Sequence, residues 1–218
     1  MKVAVLLAGC GVYDGSEIYE STVTLLALDR LGVSYQCMAP NIEQAHVINH
    51  ITGEEMVADR RNVLVEAARL ARGNIIDLKV ANAEDYDALI VPGGFGVAKN
   101  LSDFAFKGAE MTVLPAVRDF IRDLHRGGKP VGLVCIAPVM SAALFGEGVR
   151  CTIGSDADTA AAITAMGGKH VSCAVDDIVV DQQLKLVTTP AYMAAQRISE
   201  AAAGIDKLVA KVVEMARA

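Results

Sequence analysis

A thiol, a carboxyl and a pair of adjacent glycines, widely separated along the chain, are the groups here that could do chemistry together. The thiol is Cys135 in KPVGLVCIAPVM, residues 129–140. Pro130, Val131, Leu133 and Val134 read as a buried strand, and Pro138 suits the first turn of a helix, where its missing N–H has no partner to lose. Cys135 therefore falls on a sharp strand-to-helix turn. Such a turn presents its side chain at the carboxyl edge of a sheet and aims free helix N–H groups at it, which lowers a thiol pKa and favours a nucleophile. The alternative is an inert core thiol, since free cysteine is among the most buried residue types.

The carboxyl is Glu20, in the loop and helix start GCGVYDGSEIYES after the first apolar run. Ser16 reads as the cap, with Glu17 and Glu20 in the first turns. A helical wheel puts Thr24, Ala27 and Leu31 on the side of Glu20 and Asp29 opposite, so Glu20 shares the inward face. Desolvation there raises a carboxyl pKa and lets the group give and take a proton near neutrality. A half-buried acid that merely complements the helix dipole is the plainer alternative. The glycines are Gly93 and Gly94 of PGGFG, which let the backbone approach a ligand and turn an N–H toward a developing oxyanion, or simply let the chain leave a strand.

The elements that must position these groups alternate from end to end. Apolar runs at VAVLLA (3–8), SYQCMA (34–39), DALIVPGG (87–94), PVGLVC (130–135) and CTIG (151–154) are separated by helices starting near Ser16, Asp59, Met111, Ile136 and Asp156. This pattern predicts an α/β, doubly wound fold with parallel pairing and right-handed crossovers. DDIVVDQQLKLVTTP reads as a late β-hairpin turning at Gln182-Gln183, followed by a closing helix over about 194–217. Residues 40–58 are too long for an ordinary turn and could cover a site or a partner surface. Ligands of open α/β sheets bind at the carboxyl ends of strands, which directs attention to the loops after strand 1, after DALIV and at Cys135.

Composition narrows the classes of function. The 218 residues, 53% hydrophobic, suffice for one substantial core, and we expect a single domain over 1–218. The longest uncharged run, between Lys129 and Glu147, contains two prolines and falls short of a bilayer span, so no membrane is expected. MKVAVLLAGCG reads as a buried strand rather than a signal peptide. A net charge of −6 with dispersed basic residues gives a phosphate backbone nothing to bind, so no nucleic acid is expected. Five cysteines, at 10, 37, 135, 151 and 173, have no CxxC spacing and argue against disulfides or a zinc knuckle; a reducing cytoplasm is the expected location. His46 and His50 stand four apart without a third ligand and read as polar residues of a connecting segment. Cys10, at the end of strand 1, is the other cysteine expected near the same sheet edge.

Taken together, Glu20 on the first helix, PGGFGVAKNL at 92–101 and the elbow cysteine of GLVCIAP resemble the PfpI-type, glutamine-amidotransferase-like superfamily that includes the Parkinsonism-associated deglycase. More closely, GCGVYDGSEIYE, HVINHITGE, RNVLVEAARLARG, VDDIVVD and TTPAYM are similar to the bacterial ElbB proteins, over nearly the whole chain. The resemblance implies a flavodoxin-like three-layer sandwich, usually a homodimer, with a Cys135 thiolate hydrogen-bonded to a protonated Glu20. It also implies oxyanion donors from the backbone N–H groups of Gly94, Gly93 and Ile136. The activity implied is a weak, glutathione-independent glyoxalase III-type conversion of glyoxal to glycolate, with small aldehydes as substrates and no metal or cofactor. A link by name to isoprenoid biosynthesis, a deglycase variant, and redox-responsive or accessory binding are the alternatives.

Two departures refine this expectation. The segment after the elbow reads CTIGSD (151–156) where many members keep a histidine, and His125 and His170 belong to other elements. A Cys-His-acid triad, and with it amide hydrolysis, is disfavoured. The elbow reads C-I-A-P rather than the commoner C-small-G, and Ile136 is expected to crowd the pocket and restrict it to very small aldehydes.

Overall fold

The structure, a computed structural model, describes residues 1–218. Chain order begins β1 (Lys2–Leu6), α1 (Ile18–Arg30), β2 (Ser34–Ala39), α2 (Val63–Leu70), β3 (Ile75–Asp77), β4 (Ala88–Val91) and α3 (Phe104–Lys107). It continues with α4 (Pro115–Arg126), β5 (Val131–Val134), α5 (Ser141–Phe145), β6 (Arg150–Cys151), α6 (Ala157–Ala165) and β7 (Lys169–His170), and closes with β8 (Val179–Asp181), β9 (Leu186–Thr189) and α7 (Ile198–Arg217). Seven strands form one sheet in the order β3-β2-β1-β4-β5-β9-β8. All neighbours run parallel except the β8–β9 hairpin. The expected α/β, flavodoxin-like layering is therefore present, with a mostly parallel sheet and a late hairpin.

Burial on both faces explains the apolar runs. β4 and β5 are buried at every residue, as strands of a doubly covered parallel sheet must be. α1 and α7 pack against each other on one face with α2 beside them, and α4 lies on the other with α5. This division follows from right-handed crossovers: the chain steps from β1 outward through β2 to β3, then returns to β4 on the opposite side of β1. The reversal leaves a crevice outside the carboxyl ends of β1 and β4, where ligands of such sheets bind.

Several boundaries differ from the sequence expectation. CTIG does not join the main sheet; β6 ends at Cys151 and pairs with β7 in a separate two-stranded sheet. Only the hydrophobicity of the run was visible in the sequence, and the hairpin had already taken the place beside β5. β3 was not anticipated, because three half-buried residues on a sheet edge give little periodic signal. The hairpin connection is longer than a two-residue turn, since Asp181 pairs with Leu186 and Lys185 adopts a left-handed φ of 49°. Leu31 lies just past α1 and is exposed, whereas Thr24 and Ala27 are buried beside Glu20 as expected.

The long segment after β2 is held without forming a domain of its own. Isolated bridges join Glu43 to Asn62 and Ile48 to Glu55. Two buried side chains anchor it: Asp14 Oδ2 accepts from the Ile48 N–H at 2.7 Å, and Asn100 Oδ1 accepts from the Ala45 N–H at 2.9 Å. Asn100 also donates to the Ala8 and Asp14 carbonyls, both at 3.0 Å, from a π-helical turn over Val97–Leu101. The segment is thereby clamped to the loop after β1. His46 and His50 are not on a helix; His50 Nε2 accepts from the Tyr13 N–H at 3.2 Å, and His46 meets the Phe106 ring edge-on. No group of three or more His, Cys, Asp or Glu side chains is arranged to hold a metal.

Candidate active site

Cys135 sits immediately beyond β5, where its N–H still donates to the Thr189 carbonyl at 3.0 Å, so the parallel ladder fixes it up to the last residue. The chain then turns abruptly. Cys135 takes a φ of 62°, strained for a residue with a side chain, and a 3₁₀ turn over Ala137–Met140 follows with Pro138 in its first turn. The sharp turn projects the sulfur from the carboxyl edge of the sheet, as Pro138 and the abrupt end of the apolar run implied.

Glu20 approaches from α1. It is buried, and each of its oxygens takes a backbone donor: Oε2 from Gly93 N–H at 2.8 Å and Oε1 from Tyr192 N–H at 3.1 Å. A Cβ at Gly93 would lie 2.6 Å from Glu20 Oε2 and 3.0 Å from Cys135 Sγ, so the two side chains face each other across a glycine that leaves just room for them. Gly93 is needed for space, and its N–H belongs to Glu20. That corrects the expectation of Gly93 as an oxyanion donor. Gly94, at a φ of 99°, and Ile136 instead turn their N–H groups toward the sulfur.

Ser16 does not cap α1. Its hydroxyl accepts from the Ala8 N–H at 2.8 Å, and the cap is Glu17, whose Oε2 accepts from the Glu20 N–H at 2.7 Å. Further backbone bonds, Glu17 N–H to Gly93 O and Phe95 N–H to Val12 O, stitch the loop after β1 to the PGGFG turn. Cys10 does not line the thiol cavity; the charges that act on it are those of Glu66, Arg69, Asp14 and Arg61.

Burial raises the Glu20 pKa to about 7, offset in part by the N–H bonds from Tyr192 and Gly93. The thiol departs from expectation. Burial and then the charge of Glu20 push Cys135 well above its usual value, against the pull of the Gly94 and Ile136 N–H groups. The helix-end donors that suggested a depressed pKa are present, but desolvation and the neighbouring carboxylate outweigh them. Protonating Glu20 removes its charge and turns the carboxyl into a donor, so thiol and acid titrate as one coupled pair.

Cys135 is 7% exposed, and that remaining surface lines a cavity of about 330 Å³ with Val12, Phe95, Ile136, Tyr192 and Met193. The volume lies at the small end of ligand pockets, and Ile136 forms part of the wall. A larger, more open concavity of about 890 Å³ beside Leu25, Leu26 and Leu70 contains no cysteine. None of the four histidines lines the thiol cavity; His170 Nε2 instead accepts from the Ile153 N–H at 3.3 Å. Tyr192 was missed as a site residue. TTPAYM stood out only as a similar motif, and a backbone donor leaves no mark in residue type.

A doubly wound sheet with a cysteine on a strained elbow and a buried glutamate beside it defines a class of α/β proteins built around one thiol–carboxyl pair. The chain belongs to the DJ-1/PfpI family, whose profile matches residues 1–198. It is 45% identical over 98% of its length to the human glutamine amidotransferase-like class 1 domain-containing protein 3, mitochondrial, covering 83% of that protein. It is 44% identical to the rat ES1 protein homolog, mitochondrial, over 98% of this chain and 84% of the relative. Among solved structures, an isoprenoid biosynthesis protein with an amidotransferase-like domain from Ehrlichia chaffeensis superposes with a TM-score of 0.91, at 38% identity and over 98% of this chain and 99% of that one. Glyoxalase III from Candida albicans shares the fold, with a TM-score of 0.64 at 14% identity, over 99% and 97% of the two chains. The relatives named as mitochondrial overturn the expectation of a purely cytoplasmic location, which cysteine usage alone could not have distinguished from another reducing compartment. No helix is long and apolar enough to cross a membrane.

Proposed function

We propose that this protein converts small dicarbonyls to hydroxy acids by a glutathione-independent glyoxalase III-type reaction, with glyoxal giving glycolate. The observation that carries the reading is a small cavity lined by Cys135, backed by a buried acid whose pKa is raised to about 7 and by two backbone donors. The Cys135 thiol gives its proton to the Glu20 carboxylate as its sulfur forms the C–S bond to one aldehyde carbon, and the resulting oxyanion is held by the Gly94 and Ile136 N–H groups. Glu20 passes the proton it took from the thiol to that oxyanion, and the carboxylate so formed removes the proton from the same carbon and returns it to the neighbouring one through an enediol. The first carbon is thereby oxidised to a thioester while the second is reduced to an alcohol, so no external oxidant enters. Water cleaves the thioester, releasing glycolate and restoring the thiol. Glycolate formation should vanish in Cys135→Ser; glyoxal consumption at the wild-type rate in that variant would refute the assignment.

The second reading is a redox-responsive binding protein, favoured by the same cradle, because a protonated Glu20 and two N–H groups would also stabilise an oxidised sulfur. Prompt, Cys135-specific oxidation by mild peroxide, seen by intact mass with negligible turnover, would favour it. For either reading the expected assembly is a homodimer, proposed from family membership; light scattering that returns the mass of one chain would count against it.

A further inference from the structure

The walls of the thiol cavity carry charge of only one sign. Two ionisable side chains other than the thiol and tyrosine line it, Glu17 and Asp156, and no lysine, arginine or histidine does. Both acids are fixed in place by capping. Glu17 Oε2 takes the Glu20 N–H at the start of α1, and Asp156 Oδ1 takes the Thr159 N–H at 2.8 Å at the start of α6. Glu17 is 7% exposed and lines the cavity; burial raises its pKa, against the pull of the first-turn N–H groups of Glu20, Tyr19 and Ile18. It forms no ion pair. Lys99 stands over the Phe95 ring at 5.6 Å, tied to the Tyr13 carbonyl at 2.9 Å, and does not line the cavity.

We infer that Glu17 and Asp156 act as a charge filter that admits uncharged or cationic carbonyl compounds to Cys135 and turns away anionic ones, such as aldehydes bearing a carboxylate or phosphate. An anion entering the cavity would face Glu17, Asp156 and the developing charge of the Cys135–Glu20 pair with no basic side chain to compensate. Apolar walls strengthen the repulsion from buried Glu17, exposed Asp156 adds a contribution that solvent and salt screen, and a neutral dicarbonyl experiences neither. A carbonyl beside a protonated amine would be drawn in. The inference rests on the reading of Cys135 as the accessible nucleophile and specifies the substrate class that nucleophile can meet.

The test uses methanethiosulfonate reagents that differ in charge, the cationic and anionic ones sharing an ethyl arm, so it needs no turnover. Rates of Cys135 modification by 2-aminoethyl, methyl and 2-sulfonatoethyl methanethiosulfonates are measured by peptide mass mapping at about pH 8 and divided by the rates for a free small thiol. Relative to that thiol, the cationic reagent should outpace the anionic one by about tenfold or more, and added salt should shrink the ratio. Glu17→Gln with Asp156→Asn keeps a capping oxygen at both helix starts and should bring the ratio close to that of the free thiol. A wild-type ratio equal to the free thiol's, a ratio unmoved in the double variant, or failure of all three reagents to reach Cys135 would each overturn the filter. Charge sorting without any consumption of glyoxal would instead leave the filter standing and remove the proposed reaction.

Discussion

Replacing Glu20 by glutamine should alter stability by an amount that changes with pH, and the change can be worked from the site. In the unfolded chain a glutamate releases its proton near 4.5, while in the native protein burial holds that proton up to about 7. Between these values the native state binds more protons than the unfolded state, so its stability falls as pH rises through that window. A shift from 4.5 to about 7 corresponds to about 3 kcal/mol, fully lost above the upper value. Glutamine does not titrate and escapes this loss. It has only one carbonyl oxygen for two donors, however, so either the Gly93 or the Tyr192 N–H must face an NH₂ group. An unsatisfied buried donor costs about 1–3 kcal/mol at every pH. Wild type should therefore be the more stable protein near pH 4.5, with its advantage shrinking by about 3 kcal/mol and vanishing or reversing by about pH 8. Urea unfolding of both proteins across this range measures the difference directly. A difference that stays constant with pH would refute the burial-raised carboxyl, and with it the proton shuttle.

The same substitution should lower the Cys135 pKa, since the carboxylate charge that helps to raise it is gone; a pH profile of iodoacetamide labelling that fails to shift downward would separate the two groups. Gly93→Ala would set a methyl 2.4 Å from Cys135 Cβ and 2.6 Å from Glu20 Oε2, and glycolate production should drop by about a hundredfold or more. Undiminished turnover in that variant would mean the thiol and acid need not meet. Asn100→Ala removes hydrogen bonds to Ala8, Asp14 and Ala45, at about 1 kcal/mol each. Limited proteolysis within residues 40–62 should then accelerate, whereas an unchanged cleavage pattern would show that the segment is held by other contacts.

Local sequence carried what depends on neighbouring residues. β4 and β5 were legible because continuous apolar runs suit strands buried on both faces, and the elbow because Cys135 lies between such a run and Pro138. The α6 cap at Asp156 was legible for the same local reason. The positions of β6 and the 40–62 segment were not, since β6 had to find a partner other than the main sheet and the segment is held by Asp14 and Asn100, which come from distant parts of the chain.

By itself, the sequence determined the alternation of strands and helices, the turn at Cys135, the inward face of Glu20 and a glycine pair after β4; that Gly93 leaves the room between thiol and acid came from the tertiary structure. Tertiary structure decided the chemistry of the pair. Glu20 receives its two donors from Gly93 and Tyr192, far along the chain and visible only as backbone N–H groups, and the thiol's proton affinity follows from the volume that excludes water and the charge placed beside it. Residue types fix which groups can ionise; only their packing sets the desolvation and the partners that determine which of them does.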